Sequence, residues 1–343
     1  MNSKRYVISV LSITAIILTI FGSLIVNIDP FMYYKKQEGV HYYYDETWFF
    51  NPGLAKNANY DTVLLGNSMM QNTRASQVDE LFDATTIKLT SSGASAHDVY
   101  DTFKLTKEKN VKTAITILDV NSSFTLDKEF NRVEDKMYLM DTNKFNDVNY
   151  LLNKNFLFER IQRHLKFNQK KYLSTPMDKY QKWDSEKIKY GKEEVMKFYI
   201  SKKSDKYDFN NLKKMFDENV EFNFKKMIEE NSNTQFNFII PPRGIIFYKN
   251  AENMGYLDEI MYFYDMAISE LSKFDNVEIY NFMNDIDIIT NLDLYKDAGH
   301  YKSSVNDYMI ENVSQNKHLI EKENYKKDLS VFYDFVKKYK IEK

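Results

Sequence analysis

Five short runs of aliphatic, aromatic and β-branched residues recur along this chain and limit its fold more than any other feature. They span residues 62–65, 86–89, 114–118, 236–240 and 277–280. Each run has four or five residues, mostly apolar, which is typical of parallel strands buried on both faces. Segments with helical spacing lie between several of them, most clearly over residues 257–271. The pattern predicts an α/β fold with a doubly wound, mostly parallel five-stranded sheet.

One long segment interrupts this alternation. Residues 122–235 are rich in Lys, Asn, Phe and Tyr and contain no strand-like run, which predicts a mostly helical insertion over one end of the sheet. Within it we expect helices over residues 145–165 and 187–228, and a further amphipathic helix over residues 325–343. Several aromatic side chains of the insertion either belong to its core or stack on sugar rings: Tyr172, Tyr180, Trp183, Tyr190 and Phe198.

The amino-terminal segment has the composition of a transmembrane helix. Residues 6–26 are uncharged and mostly apolar, and their 21 positions match the roughly 20 that a helix needs to cross a bilayer. Lys4 and Arg5 precede the run, which favours a cytoplasmic amino terminus. We therefore expect a cytoplasmic stub and membrane anchor over residues 1–29, followed by an extracytoplasmic domain over residues 30–343. The alternative is a cleaved signal peptide, which also exports the domain.

Composition excludes several kinds of chemistry. The chain has no cysteine, so disulfides, thiol nucleophiles and Cys-ligated metal sites are absent. Its 47 basic and 49 acidic residues leave a net charge of −2, so no global basic field indicates nucleic-acid binding. Of the five histidines, His41, His164 and His318 show no metal-ligand spacing with one another or with carboxylates. We expect neither a metal nor an organic cofactor.

Polar residues follow the predicted strands, and ligands of doubly wound sheets bind at that edge. The blocks after the first four strands, in order, are Gly66-Asn67-Ser68-Met69, Ser91-Ser92-Gly93-Ala94, Asp119-Val120-Asn121-Ser122 and Pro241-Pro242-Arg243-Gly244. A fifth block, Asp297-Ala298-Gly299-His300, lies beyond the last strand. A serine, a glycine, an asparagine and an Asp-x-x-His pair are thus predicted to meet at one edge.

In this order the blocks resemble the SGNH/GDSL hydrolases, over residues 60–313 apart from the insertion. The matching positions are Ser68 in the G-D-S block, Gly93 as the oxyanion glycine, Asn121 in the G-x-N-D block, and Asp297 and His300 in the D-x-x-H block. The chain departs from the pattern at three positions. Asn67 replaces the aspartate before the serine, and Asp119 and Ser122 replace the glycine and aspartate around Asn121.

The resemblance implies a catalytic triad. Ser68 would act as the nucleophile, His300 as the base that takes its proton, and Asp297 as the carboxylate that orients the imidazole. The oxyanion hole would consist of the backbone N–H groups of Ser68 and Gly93 together with the amide of Asn121. These groups perform acyl transfer to water or to another hydroxyl.

Family resemblance also implies a setting for that chemistry. A membrane-anchored domain of this kind looks like the polysaccharide O-acetylation and teichoic-acid D-alanylation branch, whose members work with a membrane-bound O-acyltransferase. O-acetylation of a cell-surface polysaccharide is the leading expectation. D-alanyl transfer to teichoic acid, a carbohydrate esterase (deacetylase) and a catalytically silent scaffold remain alternatives. Arg243 would bind substrate, or else form a structural ion pair.

Overall fold

A parallel five-stranded sheet forms the centre of the fold. In this computed structural model, which describes residues 3–44, 46–124, 138–141, 143–201 and 211–341, the strands are β1 Thr62–Gly66, β2 Thr86–Thr90, β3 Thr113–Ile117, β4 Gln235–Ile240 and β5 Val277–Asn281. Each predicted run coincides with one strand to within one residue at either end. The α/β class and the parallel sheet are confirmed. The side chains of β1 and β2 are buried throughout, as the near-continuous apolar runs require.

The strand order is β2-β1-β3-β4-β5, and all neighbouring pairs are parallel. The chain moves outward from β1 to β2, then crosses back to β3 and continues on the other side through β4 and β5. The order therefore reverses between β1 and β3, where the connections leave the sheet in opposite directions. A crevice outside the carboxyl ends of β1 and β3 is the expected place for a ligand.

Helices and short turns connect and extend the sheet. In chain order the helices are α1 Ser3–Ile28, α2 Thr47–Asn57, α3 Ala75–Phe82, α4 Ala96–Lys104, α5 Val148–Leu151, α6 Ile161–Gln169, α7 Lys192–Met196, α8 Leu212–Asn219, α9 Lys226–Glu229, α10 Ile245–Met254, α11 Leu257–Leu271, α12 Ile286–Thr290, α13 Ser303–Ser314 and α14 Tyr325–Lys338. Turns of 3₁₀ type lie at Val120–Ser123 and Leu292–Leu294, and π turns at Phe156–Arg160 and Val220–Lys225. The predicted apolar stripe of α11 is buried, and α14 confirms the carboxyl-terminal helix.

The chain divides into two compact units. The first contains residues 1–58 and 132–176, and the second contains residues 59–131 and 177–343, including the whole sheet. This division differs from the boundary at residue 29 that the sequence suggested. Residues 29–58 belong to the same unit as residues 132–176 from the first half of the insertion.

The described residues of the insertion form short helices separated by turns and irregular segments, of which residues 170–191 are the longest. The insertion's described residues contain α5 to α9 and the two π turns, and no strand. Residues 125–137, 142 and 202–210 of the predicted insertion lie outside the described residues. In the described parts of the ranges 145–165 and 187–228, shorter helices and π turns stand where the sequence predicted two longer helices.

α1 meets the length and composition requirements of a membrane span. It has 26 residues, its most apolar window has a mean hydropathy of 2.4, and only 6% of that window is buried in the fold. A secretory signal sequence has the same properties, so the helix itself leaves the topology open. Its exposed apolar surface nevertheless distinguishes α1 from the core helices around the sheet.

Candidate active site

A turn that requires glycine carries the first polar residues of the site. β1 ends at Gly66, whose φ of +130° is rarely adopted by residues with a Cβ. A Cβ on Gly66 would also lie 2.8 Å from Cγ2 of Ile117 on β3. After this turn Asn67 is buried, and Ser68 is only partly buried. The backbone that Gly66 permits therefore places the Ser68 hydroxyl at the accessible edge of the sheet.

Three side chains form a continuous hydrogen-bonded chain at this edge. Ser68 Oγ lies 2.7 Å from Nε2 of His300. His300 Nδ1 in turn lies 2.8 Å from Oδ2 and 3.1 Å from Oδ1 of Asp297. The fold thus brings together the three residues that the sequence singled out, across 232 positions between Ser68 and His300. A hydroxyl, an imidazole and a carboxylate in this order are the groups that activate a serine.

The loop that carries His300 is organised around the carboxylate of Asp297. Oδ1 of Asp297 accepts hydrogen bonds from the backbone N–H groups of Gly299 at 2.9 Å and His300 at 2.8 Å. Burial by itself would raise the pKa of Asp297. The hydrogen bond and the charge of His300, together with these backbone N–H groups, outweigh burial and lower the pKa of Asp297 to about 2. Asp297 therefore stays ionised and fixes the imidazole orientation.

The low pKa of Asp297 predicts a pH-dependent contribution to stability. An aspartate in an unfolded chain has a pKa of about 3.9, whereas the folded value is about 2. The contribution is therefore present above about pH 4 and is lost as the pH falls through about 2. We expect Asp297→Asn to be less stable than wild type by roughly 2 kcal/mol near neutral pH. Urea unfolding should show this difference shrinking toward pH 2, and a difference that does not vary with pH would contradict the assignment.

The three departures from the family pattern contact one another. The Asn67 amide Nδ2 donates to Oδ2 of Asp119 at 2.8 Å and lies 3.0 Å from Oγ of Ser122. Asn67 Oδ1 accepts from the backbone N–H of Met69 at 2.9 Å, which holds the turn around Ser68. An aspartate at position 67 would instead place a second carboxylate beside Asp119. The Asn67 amide, at the end of β1, thus donates a hydrogen bond to the buried Asp119 carboxylate after β3. These are the two strands between which the strand order reverses.

Arg243 pairs with the same carboxylate from the other side. Its Nε and Nη2 donate to Oδ1 and Oδ2 of Asp119 at 2.9 and 2.7 Å, and the two side chains are only 5% and 0% exposed. Burial would lower the pKa of Arg243, but the charge of Asp119 outweighs burial and raises it. Direct contact between Arg243 and a substrate is not supported by this placement. Arg243 instead forms a structural ion pair with Asp119, which was the alternative that the sequence left open.

The buried ion pair also touches the loop of the candidate base. A Cβ on Gly299 would lie 2.4 Å from Nη1 of Arg243, so the guanidinium packs directly under the backbone between Asp297 and His300. The same guanidinium lies 4.6 Å from the ring centre of Phe247. Arg243 therefore joins the loop after β3 to the Asp297–His300 loop, and the small size of Gly299 makes this contact possible.

The predicted oxyanion groups lie at the ends of the strands that flank β1. Gly93 follows β2 with a φ of +66°, and Asn121 lies on the 3₁₀ turn Val120–Ser123 after β3. Both residues are exposed, in contrast to the buried Asp119 and Ser122. Their strand-end positions agree with the sequence-based placement. Their role in binding an oxyanion stays a prediction.

Trp183 and Asp184 of the insertion contact the segments that carry Ser68 and His300, and sequence reasoning did not assign them this role. Trp183 Nε1 donates to the carbonyl oxygen of Ser68 at 2.8 Å, and the Trp183 ring meets the His300 ring edge to face at 5.6 Å. Asp184 Oδ2 accepts from the backbone N–H of Ser303 at 2.8 Å, just after His300. The backbone N–H groups of Trp183 and Asp184 both donate to Oδ1 of buried Asn72. The insertion thereby contacts the candidate nucleophile and the candidate base together.

Replacing Trp183 by phenylalanine should separate the ring contact from the hydrogen bond. Phenylalanine keeps an aromatic ring beside His300 but leaves the Ser68 carbonyl without the indole donor. If Ser68 is a nucleophile, its misplacement is costly, and kcat on an ester substrate is expected to fall roughly 10- to 100-fold with little change in KM. Trp48→Phe, on α2 of the first unit, is the matched control and should leave kcat unchanged. Equal kcat values for the two variants would show that Trp183 does not position Ser68.

Lys88 is a buried lysine that contacts the segment after Ser68. It lies in the middle of β2, is 0% exposed, and its Nζ donates to the carbonyl oxygen of Gln71, three residues after Ser68. Burial lowers the pKa of Lys88 to about 7. The sequence placed Lys88 in a buried strand without indicating what its amino group contacts. The structure shows that it supports the segment that follows Ser68.

No group of three or more His, Asp or Glu side chains in the described part of the chain is arranged to hold a metal ion. Comparison with known protein families finds no matching family model. Comparison with curated proteins also finds no match. The functional assignment therefore depends on the geometry of the site and on the motifs of the sequence.

Proposed function

We propose that this protein is a serine-dependent acyltransferase or esterase of the SGNH type, with Ser68, His300 and Asp297 as its triad. The observation that carries the proposal is the hydrogen-bonded chain from Ser68 Oγ through the His300 imidazole to the Asp297 carboxylate. Two features support it. The chain lies at the carboxyl edge of a sheet with the 2-1-3-4-5 order of flavodoxin-like folds, and Gly66 leaves the hydroxyl accessible.

The proposed reaction has two steps. His300 Nε2 takes the proton of Ser68 Oγ while that oxygen attacks the acyl carbonyl, and the imidazolium then returns the proton to the leaving alcohol. An acyl group is now bound to Ser68. A second hydroxyl, from water or from a sugar, attacks it by the same proton transfers in reverse order and regenerates the serine. Asp297 stabilises the imidazolium and keeps Nε2 directed at Ser68 in both steps.

Negative charge on the carbonyl oxygen would be bound by the backbone N–H groups of Ser68 and Gly93 and by the Asn121 amide. Each such donor typically contributes about 3 kcal/mol to stabilisation of the transition state. The exposed position of Gly93 and Asn121 at the ends of β2 and β3 leaves them accessible to a substrate. The three departures from the pattern, Asn67, Asp119 and Ser122, form one hydrogen-bonded set beside Ser68.

The proposed substrate is a cell-envelope polymer. α1 would anchor the protein in the membrane with its amino terminus in the cytoplasm and the two folded units outside. In this setting the leading form of the reaction is O-acetylation of a surface polysaccharide, with a membrane-bound O-acyltransferase supplying the acyl group. D-alanyl transfer to teichoic acid uses the same chemistry on a different acyl group.

Polymer acetylation in the native cells tests this function. Deleting the protein and replacing the chromosomal copy by Ser68→Ala should both lower the acetyl content of the surface polysaccharide. A rise in both strains would identify a deacetylase instead. Unchanged acetyl and D-alanyl content, with the variant present at wild-type abundance, would contradict acyl transfer to these polymers and favour a catalytically silent scaffold.

A further inference from the structure

A groove of about 650 Å³ runs along the carboxyl-terminal half of α1 in the first unit. One wall consists of α1 residues that include Leu18, Gly22 and Val26. The opposite wall comes from residues 144–152, which include α5. The lining is mainly apolar, with Thr19, Ser23, Asn27 and Lys144 as its polar members.

Apolar side chains around the groove are unusually exposed. Phe145 is 95% exposed, Val148 is 48% exposed and Leu152 is 40% exposed. A single exposed apolar residue needs no explanation, but a contiguous set beside an already exposed apolar helix indicates a surface that is covered in the working protein. The wall of the groove continues the exposed apolar surface of α1, on which Leu11 is 64% exposed.

Buried hydrogen bonds tie the two walls together, so the groove is part of the fold. The Asp29 carboxylate, directly after α1, is 0% exposed and accepts from the backbone N–H of Tyr33 at 2.8 Å and from the Tyr150 hydroxyl on α5 at 3.3 Å. The Asp147 carboxylate accepts from the Tyr33 hydroxyl at 3.0 Å. The Tyr33 and Tyr150 rings pack with their centres 4.9 Å apart.

The position of the groove along α1 indicates what fills it. Leu18 lies eight residues before Val26, the last residue of the apolar run, which is about 12 Å along the helix axis. The hydrocarbon core of a bilayer is about 30 Å thick. With residues 6–26 crossing the membrane, the groove therefore begins inside the half of the hydrocarbon core next to the folded units. α5 lies at the same depth because it forms the opposite wall.

We propose that lipid acyl chains fill the groove between α1 and residues 144–152, so that α5 and Phe145 lie within the membrane, in the half of the bilayer next to the folded units. Lys144 also lines the groove and is exposed, as suits a cation that extends to lipid headgroups. The inference uses the membrane anchor of the proposed function but not its chemistry. Ser68→Ala protein should show the same membrane contact as wild type, so failure of one proposal is distinguishable from failure of the other.

Because the chain has no cysteine, single nitroxide labels test the inference directly. Full-length Phe145→Cys protein is labelled and reconstituted in phosphatidylcholine–phosphatidylglycerol vesicles. The label's collisions with oxygen, which concentrates in lipid, are compared with its collisions with a water-soluble nickel chelate. Leu11→Cys on α1 is the lipid reference. Val331→Cys, 61% exposed on α14 of the second unit, is the aqueous reference.

We expect the oxygen-to-nickel collision ratio at Phe145→Cys to be several-fold higher than at Val331→Cys and close to that at Leu11→Cys. Val148→Cys provides a second position on the same wall and should agree. A ratio at both positions equal to that of Val331→Cys would overturn the proposal. Shielding of both positions from both reagents would also overturn it, because a protein would then fill the groove.

Discussion

Replacing Ser68 by alanine is expected to lower kcat for the release of acyl groups from a chromogenic ester by on the order of 10⁶-fold. The substitution removes the hydroxyl oxygen that lies 2.7 Å from His300 Nε2, and with it the group that the imidazole would activate. Ser68 is partly exposed and alanine is smaller than serine, so the variant should fold. The measurement is the steady-state rate of the full-length chain in detergent.

Ser92→Ala is the matched control for that result. Ser92 also follows a strand at the same sheet edge and is exposed, but its hydroxyl lies 3.1 Å from Oε1 of Gln71 and is not part of the Ser68–His300–Asp297 chain. It should retain activity. If wild type and Ser68→Ala are equally inert, the enzyme hypothesis loses its main support and a silent scaffold of the same fold replaces it; equal and substantial rates would show that Ser68 is not the nucleophile.

Replacing Arg243 by methionine is expected to lower the free energy of unfolding by about 3–5 kcal/mol. Methionine has a similar length, but it leaves the fully buried Asp119 carboxylate with Asn67 Nδ2 and without its cationic partner. An uncompensated buried charge is far more costly than a missing contact. Urea unfolding followed by circular dichroism measures the change.

A double variant tests whether the buried charge is the cause. Arg243→Met combined with Asp119→Asn removes both charges and keeps an amide oxygen that accepts from Asn67. It should recover much of the stability that Arg243→Met loses. If the double variant is no more stable than the single one, the loss comes from packing around Arg243 and not from the charge of Asp119.

The sheet was predictable because its strands carry a local pattern. Buried parallel strands are short, nearly continuous apolar runs, and each of the five appears as such in the sequence. The Asp-x-x-His pair was also visible, since the contacts of Asp297 with His300 lie within one loop. Such features depend on neighbours in the chain and need no knowledge of the tertiary packing.

The surroundings of the triad were not predictable for the opposite reason. Trp183 donates to Ser68 across 115 positions, and Arg243 pairs with Asp119 across 124 positions. No spacing rule connects such residues, and a tryptophan in a polar insertion or an arginine after two prolines is compatible with several roles. Lys88 is similar, since a lysine within a strand pattern does not reveal that its amino group is buried.

The division of the chain into two units also could not be predicted from the sequence. Residues 29–34 join residues 147–150 through buried carboxylate–tyrosine hydrogen bonds between Asp29, Asp147, Tyr33 and Tyr150. These contacts involve aromatic and acidic residues that have no helical or strand period. From periodicity alone, the whole segment 122–235 was predicted to be one insertion. In the structure its first half belongs to the amino-terminal unit, to which these polar contacts join it.

Covalent trapping of the nucleophile is the most direct measurement of the proposed chemistry. The full-length chain is treated with a serine-reactive fluorophosphonate, digested and mapped by mass spectrometry. One adduct is expected, on Ser68, with strongly slowed labelling in His300→Ala and none in Ser68→Ala. An adduct on a different serine, or labelling that persists in Ser68→Ala, would contradict the assignment of Ser68 as the activated nucleophile.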